Sequence, residues 1–267
     1  MITSTANTQV KYLLGLQKKS RLRNEEKVFI VEGIRMAGEL PAERAKKVYL
    51  SESLNRRMEG EAEDKNLQSV QRLMEKVPYE VLSDKVFEHI SDTKTPQGVL
   101  AVVKQKEYGM EEVLGMERPL FMVLDNLQDP GNLGTIVRTA EGAGVDAVIM
   151  SRDCVDIYNP KTIRSTMGSI YRMPFLYADD IKAVINEMKQ RGIHTYAAHL
   201  DGKNTYDRED YRDKTAFLIG NEGNGLRKEI ADQADCWIRI PMCGKVESLN
   251  AAIAASILMF EAGRQRR

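Results

Sequence analysis

The sequence predicts two α/β domains, the second built on a mostly parallel sheet with helices on both faces. Three observations carry that prediction. Past Pro119, apolar runs rich in β-branched residues alternate with helix-like segments, from "LFMVLDN" to the apolar "LNAAIAASILMF". Those runs are continuous rather than alternating, as strands covered on both faces must be. Ahead of Pro119 stands a separate set of strand-like runs, and between the two sets "KEYGMEEVLGMERP" loses the pattern.

In order, a helix is expected over about residues 7–22, then a strand in "KVFIVEG" and a short helix. "KKVYLS" reads as the second strand, "ESLNRRMEGEAEDKNLQ" as loop and helix, "YEVLS" as the third strand and "GVLAVVKQ" as the fourth. The second half opens on the strand "LFMVLDN" and the helix "GNLGTIVRTAEGAG", followed by the strand "DAVIM". Helices are expected in "NPKTIRSTMGSI" and "IKAVINEMKQRG", strands in "IHTYAAHL", "TAFLIGNEG" and "CWIRIPM", and a closing helix from Leu249 through Phe260. The expected boundaries are a first domain over 1–104, a linker over 105–118 and a second domain over 119–267.

A length of 267 residues suits one or two domains. No run approaches the roughly 18 apolar residues of a membrane span. The amino terminus lacks the apolar core and small-residue cleavage site of a secretory signal. Cys154, Cys236 and Cys243 are odd in number and form no C-x-x-C pair, so neither a disulfide framework nor a metal site is expected. A cytoplasmic protein is the expectation. Thirty-nine Lys and Arg balance thirty-nine Asp and Glu, so net charge points to no nucleic-acid partner. The distribution is less even, because Lys11, Lys18, Lys19, Arg21, Arg23 and Lys27 meet only Glu25 and Glu26. Such a run is either a solvated helix face or the footprint of a phosphate backbone.

Ligands of open parallel sheets bind beyond the carboxyl ends of the strands, and three such ends here carry unusual loops. In "LDNLQDPGNLGTIVRTA", Asn132 and Arg138 stand six positions apart, close to two helical turns, so one face can present both. The plain alternative is a strand-turn-helix joint with an exposed Arg. In "FLIGNEGNGLRKEI", glycines around Asn221 and Glu222 let the backbone bend and approach a ligand. Neither phosphate-loop nor dinucleotide fingerprint is present, and a carboxylate in the turn suits a neutral or cationic ligand. In "IPMCGKVESLN", Pro241 ends a strand and Ser248 lies near the start of the last helix, as an N-cap or as a functional hydroxyl. Asn250 is harder to place, since Asn is a mediocre residue for an apolar helix.

Together, "NLGTIVRTA", "LIGNEGNGL" and "IPMCGKVESLNAAIAASILMFEA" closely resemble the three signature motifs of the SpoU/TrmH family of RNA ribose 2′-O-methyltransferases, of the SPOUT class. "FIVEG", "SDTKTPQGVLAVV" and "NPKTIRSTMGSIYRMPF" resemble its rRNA-modifying branch, so the likeness spans essentially the whole chain. The resemblance implies a small ribosomal-protein-like α/β domain that binds RNA, ahead of a parallel-sheet domain tied in a deep trefoil knot. It implies a homodimer with the last helix at the interface, S-adenosylmethionine as cofactor, no metal, and RNA rather than DNA as substrate. Gly220, Ile240 and Leu249 match its cofactor positions; Asn132, Arg138, Glu222, Ser248 and Asn250 match residues tied to catalysis and RNA placement. Lys18, Lys19, Arg21, Arg23, Lys161 and Arg164 are RNA-contact candidates. The family's motif-one Arg is often cast as the base, but a guanidinium stays protonated, which favours Arg138 as a clamp on phosphate and developing charge. Large-subunit rRNA is the expected substrate; tRNA, or a non-catalytic assembly role, is the alternative.

Overall fold

The computed structural model describes residues 1–59 and 64–267. By packing, the chain divides into one unit of Met1–Lys106 with Asp156–Tyr171, and a second of Glu107–Val155 with Arg172–Arg267.

The first unit opens with α1 (Thr8–Lys18) and α2 (Ser20–Glu26), two helices where the sequence suggested one. The break falls at Lys19, whose backbone is extended. Arg23 explains it: buried at 4 % exposure, its Nη1 donates to the carbonyls of Leu16 at 2.6 Å and Gln17 at 3.0 Å. A helix end leaves such carbonyls without partners, and here a guanidinium supplies them. There follow β1 (Val28–Glu32), α3 (Ile34–Gly38), β2 (Ala45–Ser51), α4 (Glu52–Arg57), α5 (Lys65–Met74), β3 (Tyr79–Leu82), α6 (Asp84–Ile90) and β4 (Val99–Lys104). The four expected strands all form, in the order β1-β4-β2-β3. Only β2 and β3 run parallel. Residues 60–63, within the expected loop-and-helix stretch, lie outside the described residues.

The second unit starts inside the expected linker. In α7 (Met110–Leu114), Val113 and Leu114 are buried and pack with Phe121 and Val123. This stretch belongs to a core because its two adjacent apolar residues have one to fill; five residues are too few to show a period. The remaining elements are β5 (Leu120–Leu124), α8 (Pro130–Ala143), β6 (Ala147–Ser151), α9 (Pro160–Thr166), β7 (Phe175–Ala178), α10 (Ile181–Gln190), β8 (His194–Ala198), β9 (Asn204–Thr205), β10 (Thr215–Ile219), α11 (Lys228–Ala231), β11 (Cys236–Arg239) and α12 (Ala251–Gln265). Of these, α9 packs with the first unit, although the sequence boundary of 119–267 includes it.

The second unit's sheet has seven strands, ordered β7-β6-β5-β10-β8-β11-β9, and every pairing is parallel. β5, β6 and β10 are buried at every position, as their unbroken apolar sequences require. Two strands were not expected: β7, only four residues long, and the two-residue edge strand β9. The last helix begins at Ala251 rather than Leu249 and runs on to Gln265, packing against α8.

Candidate active site

Because all strands of this sheet are parallel, the carboxyl ends of β5, β10 and β11 lie at one end of it. Asp129 caps α8, its Oδ1 accepting from Asn132 N at 2.7 Å, with Pro130 at the first helical position. That pairing of cap and Pro sets the start of the helix and puts Asn132 in its first turn.

The loop after β10 closes on itself. Asn221 and Gly225 exchange two backbone hydrogen bonds of 2.9 Å each. Gly220 makes the crossing possible: a Cβ there would fall 2.1 Å from Leu226 N and 2.3 Å from Gly225 O. No side chain fits, so glycine is obligatory at this position. The closed loop holds out Glu222. Its Oε1 accepts from Asn132 Nδ2 at 3.0 Å and Asp129 N at 2.9 Å, and its Oε2 from Gln128 N at 3.1 Å. Burial pushes this carboxyl up, but the donors from Asn132, Asp129 and Gln128 outweigh it and leave it below its ordinary value.

The third loop completes a chain of amides. Asn250 Nδ2 donates to Asn132 Oδ1 at 3.0 Å. Asn250 Oδ1 accepts from Ala252 N at 2.9 Å and Ile253 N at 3.3 Å, so Asn250 is the N-cap of α12. This corrects two readings: Asn250 is not inside the helix, and Ser248 does not cap it. Asn250, Asn132 and Glu222 thus join the three loops in one network.

Beside this network is a cavity of about 370 Å³. Its lining includes all three cofactor candidates, Gly220, Ile240 and Leu249, together with Ser248 and Glu222. Ile219, Leu226 and Ile238 supply apolar wall, while Asp201, Glu222 and Glu247 supply carboxylates. The size suits a small organic ligand. Apolar walls with exposed loop backbone suit an adenine, and the carboxylates suit a cation, so the cavity fits S-adenosylmethionine. Ser248 is exposed, and its hydroxyl makes no hydrogen bond among the described residues. Arg138 is exposed on α8 and has no hydrogen bond or ion pair among the described residues. The structure therefore brings Asn132, Glu222 and Asn250 together by direct bonds, and leaves Arg138 free to meet a ligand.

The RNA candidates separate. Lys18, Lys19, Arg21 and Lys161 are exposed, with Arg21 paired to Glu25 at 2.7 Å. Arg164 pairs with Asp92. Arg23 is a correction: it is buried and paired with Asp156, so its charge is spent inside the fold. Sequence reading also missed Gln128, Asp129 and Asn221 as supports of the site, although an Asp-Pro pair before a helix is itself a capping signal.

Comparison with known proteins places this geometry. Residues 119–260 match the SpoU rRNA Methylase family, and residues 7–101 match the MRM3-like substrate binding domain. The 23S rRNA (guanosine(2553)-2'-O)-methyltransferase RlmP of Bacillus subtilis is 35% identical over 180 residues, 67% of this chain and 70% of RlmP. The 23S rRNA (guanosine-2'-O-)-methyltransferase RlmB of Bordetella pertussis is 35% identical over 175 residues, 64% of this chain and 71% of that one. A crystal structure of an AdoMet-bound rRNA methyltransferase from Sinorhizobium meliloti superposes with a TM-score of 0.85 at 30% identity, covering 98% of this chain and 97% of the other. Fold and site together define the class: an RNA methyltransferase that uses S-adenosylmethionine. The chain belongs to the SpoU rRNA methylase family.

Proposed function

We propose that this protein methylates a ribose 2′-hydroxyl in 23S rRNA with S-adenosylmethionine. The observation that carries the reading is the Asn250–Asn132–Glu222 network, bonded at 3.0 Å per link and set beside the cavity lined by Gly220, Ile240 and Leu249. RlmP and RlmB, both named for 23S rRNA 2'-O-methylation, support the substrate. When bound, the cofactor supplies an activated methyl on a sulfonium, and the protein supplies orientation.

Each residue has a part. The backbone around Gly220, with Ile240 and Leu249, holds the cofactor. Glu222 fixes Asn132, and Asn132 with Asn250 and Ser248 presents hydrogen-bonding groups to the ribose. Arg138 clamps the flanking phosphate and the negative charge that develops on the 2′-oxygen as its proton passes to water. The acceptor is a 2′-hydroxyl, which DNA lacks. Exposed Lys18 and Lys19 hold the RNA backbone, contacts that position rather than specify. The three free cysteines agree with a cytoplasmic setting.

Two further parts of the reading concern the whole second unit. Ile253 and Phe260 lie seven positions apart on α12, 50% and 53% exposed, and support a homodimer through that helix. Phe260→Glu should turn a dimer into a monomer in sedimentation; an unchanged mass would remove α12 from the interface. Loops after β10 and β11 that line one cavity, with α12 packed against α8, support a deep trefoil knot. Stretching single molecules from their ends would leave a knotted chain short of full extension, and full extension would sink the knot.

Methyl transfer from labelled S-adenosylmethionine to protein-free 23S rRNA, 16S rRNA and bulk tRNA tests the function. A 2′-O-methylated nucleoside in 23S rRNA is the expected product. Label in tRNA alone would overturn the substrate and keep the chemistry. Absence of both transfer and cofactor binding would leave a non-catalytic RNA-binding module.

A further inference from the structure

Asp125 and Arg227 belong to none of the roles assigned above. Asp125 follows directly on β5, and its side chain is 1% exposed. Its carboxylate receives the Arg227 guanidinium side-on: Nε lies 2.9 Å from Oδ2 and 3.1 Å from Oδ1, and Nη2 bonds Oδ1. Nη1 of the same guanidinium reaches Asp153 Oδ2 at 3.1 Å. A buried carboxylate is costly unless paired with this kind of geometry, so the pair holds its place firmly.

Its place is at the root of the Glu222 loop. The loop leaves β10 at Ile219, turns at Gly220, closes through Asn221 and Gly225, and ends at Arg227. The β5–α8 segment runs alongside. Asp125 N donates to Ile219 O at 2.8 Å, and Asn221 Nδ2 donates to Asn126 O at 2.9 Å. Glu222 then meets Gln128, Asp129 and Asn132 at the far end. The two segments are therefore fastened at the tip by Glu222 and at the root by Arg227. The tip fastening is neutral-to-charged and solvent-exposed, whereas the root is doubly charged and buried on the Asp125 side.

We propose that Asp125 and Arg227 are positioning residues for methyl transfer: their ion pair sets the register between the Gly220–Glu222 loop and Asn132, and so aligns the cofactor cavity with the amide network. The inference rests on the proposed methyltransferase reading. Neither residue needs to touch RNA or cofactor. A displacement of about 1 Å between reacting groups costs roughly 10²-fold in rate, which gives such a pair a catalytic effect at a distance.

The test separates position from stability. Arg227→Gln alone leaves a buried carboxylate unpaired and should lower Tm. The double variant Asp125→Asn/Arg227→Gln leaves no buried charge and should recover Tm towards wild type. Expected for the double variant, at a temperature where it is fully folded, is a kcat at least about tenfold down with the RNA KM little changed. Arg227→Lys, which keeps charge and loses the fork, should fall between. Calorimetric affinity for S-adenosylhomocysteine reads the Gly220 side without turnover and should weaken in the same order. A double variant with wild-type kcat and wild-type affinity would overturn the proposal and make the pair purely structural. If the wild type binds S-adenosylhomocysteine but methylates no RNA, the function fails first, and the affinity series still decides the positioning role.

Discussion

At the scale of single residues, Glu222 and Arg138 are opposites, a carboxylate held by its neighbours and a guanidinium left to meet a ligand. Glu222 is held by three donors and Arg138 by none among the described residues. Arg138 is exposed and unpaired, so replacing it leaves stability near wild type. Its proposed clamp depends on a planar, bidentate donor pair. We expect Arg138→Lys to lower kcat by about tenfold to 10²-fold, less than deleting a transition-state donor outright, with S-adenosylhomocysteine affinity unchanged. Steady-state methyl transfer decides this, and wild-type turnover in the Lys variant would remove the clamp. Glu222 gives a pH signature. Its carboxyl is held below the ordinary 4.5, so its contribution to the loop is complete above that value and is lost as pH falls through the lowered one. The acid limb of S-adenosylhomocysteine affinity should therefore lie below 4.5, and Glu222→Gln should flatten it. An acid limb unchanged in that variant would assign it to another carboxylate. That Asn132, Glu222 and Asn250 would meet was implied by the resemblance of their three loops to family motifs, each loop alone being ambiguous, and the hydrogen bonds join them. The burial of Arg23 was not legible, because the Asp156 that neutralises it lies 133 positions away. A local run of cations looks the same whether its members face water or the core.

At the scale of elements, α12 shows how one side chain serves both fold and site. Asn250 Oδ1 caps the helix while its Nδ2 reaches Asn132, so the two roles reside on different atoms. Asn250→Asp keeps the accepting oxygen and loses the donor. It should hold Tm near wild type and still depress single-turnover methyl transfer. Asn250→Ala removes both, costing about 1 kcal/mol as a lost cap in addition to the rate. Equal rates for the Asp variant and wild type would confine Asn250 to capping. Long apolar strands and the amphipathic α10 were legible because burial on one or both faces leaves a period or an unbroken run. Short elements leave neither. β7 spans four residues and β9 two, and both form because a neighbouring strand offers them a ladder. The start of α12 was misplaced by two residues because Leu249, apolar enough to continue the helix, lines the cavity instead.

At the scale of the whole molecule, the order of elements along the chain is not the order in which they pack. Asp156–Tyr171 sits between β6 and β7 in sequence and belongs with the first unit in space. Its attachment there is substantial. Arg23 pairs with Asp156, the rings of Phe29 and Tyr158 stack at 4.7 Å, and Tyr171 Oη donates to Met36 O at 2.9 Å. Ile157, Ile163 and Ile170 are each at most 1% exposed, so most of this segment's apolar surface is removed from water. No composition shift marks such a segment, and only packing reveals that the first unit is discontinuous. The consequence is that residues 1–106 alone lack part of their own core. Produced alone, this fragment leaves Phe29 without its stacking partner and Arg23 buried without its carboxylate, and an unpaired buried charge costs about 3–5 kcal/mol. We expect the fragment to unfold at low temperature. A synthetic peptide of residues 156–171 added in trans should raise its Tm with the logarithm of peptide concentration above Kd, because the peptide binds the folded state alone. A peptide carrying Asp156→Ala and Tyr158→Ala should have little effect. If the fragment is fully stable by itself, or the native peptide leaves its Tm unmoved, the segment merely rests on the first unit, and the contiguous boundary at residue 104 stands.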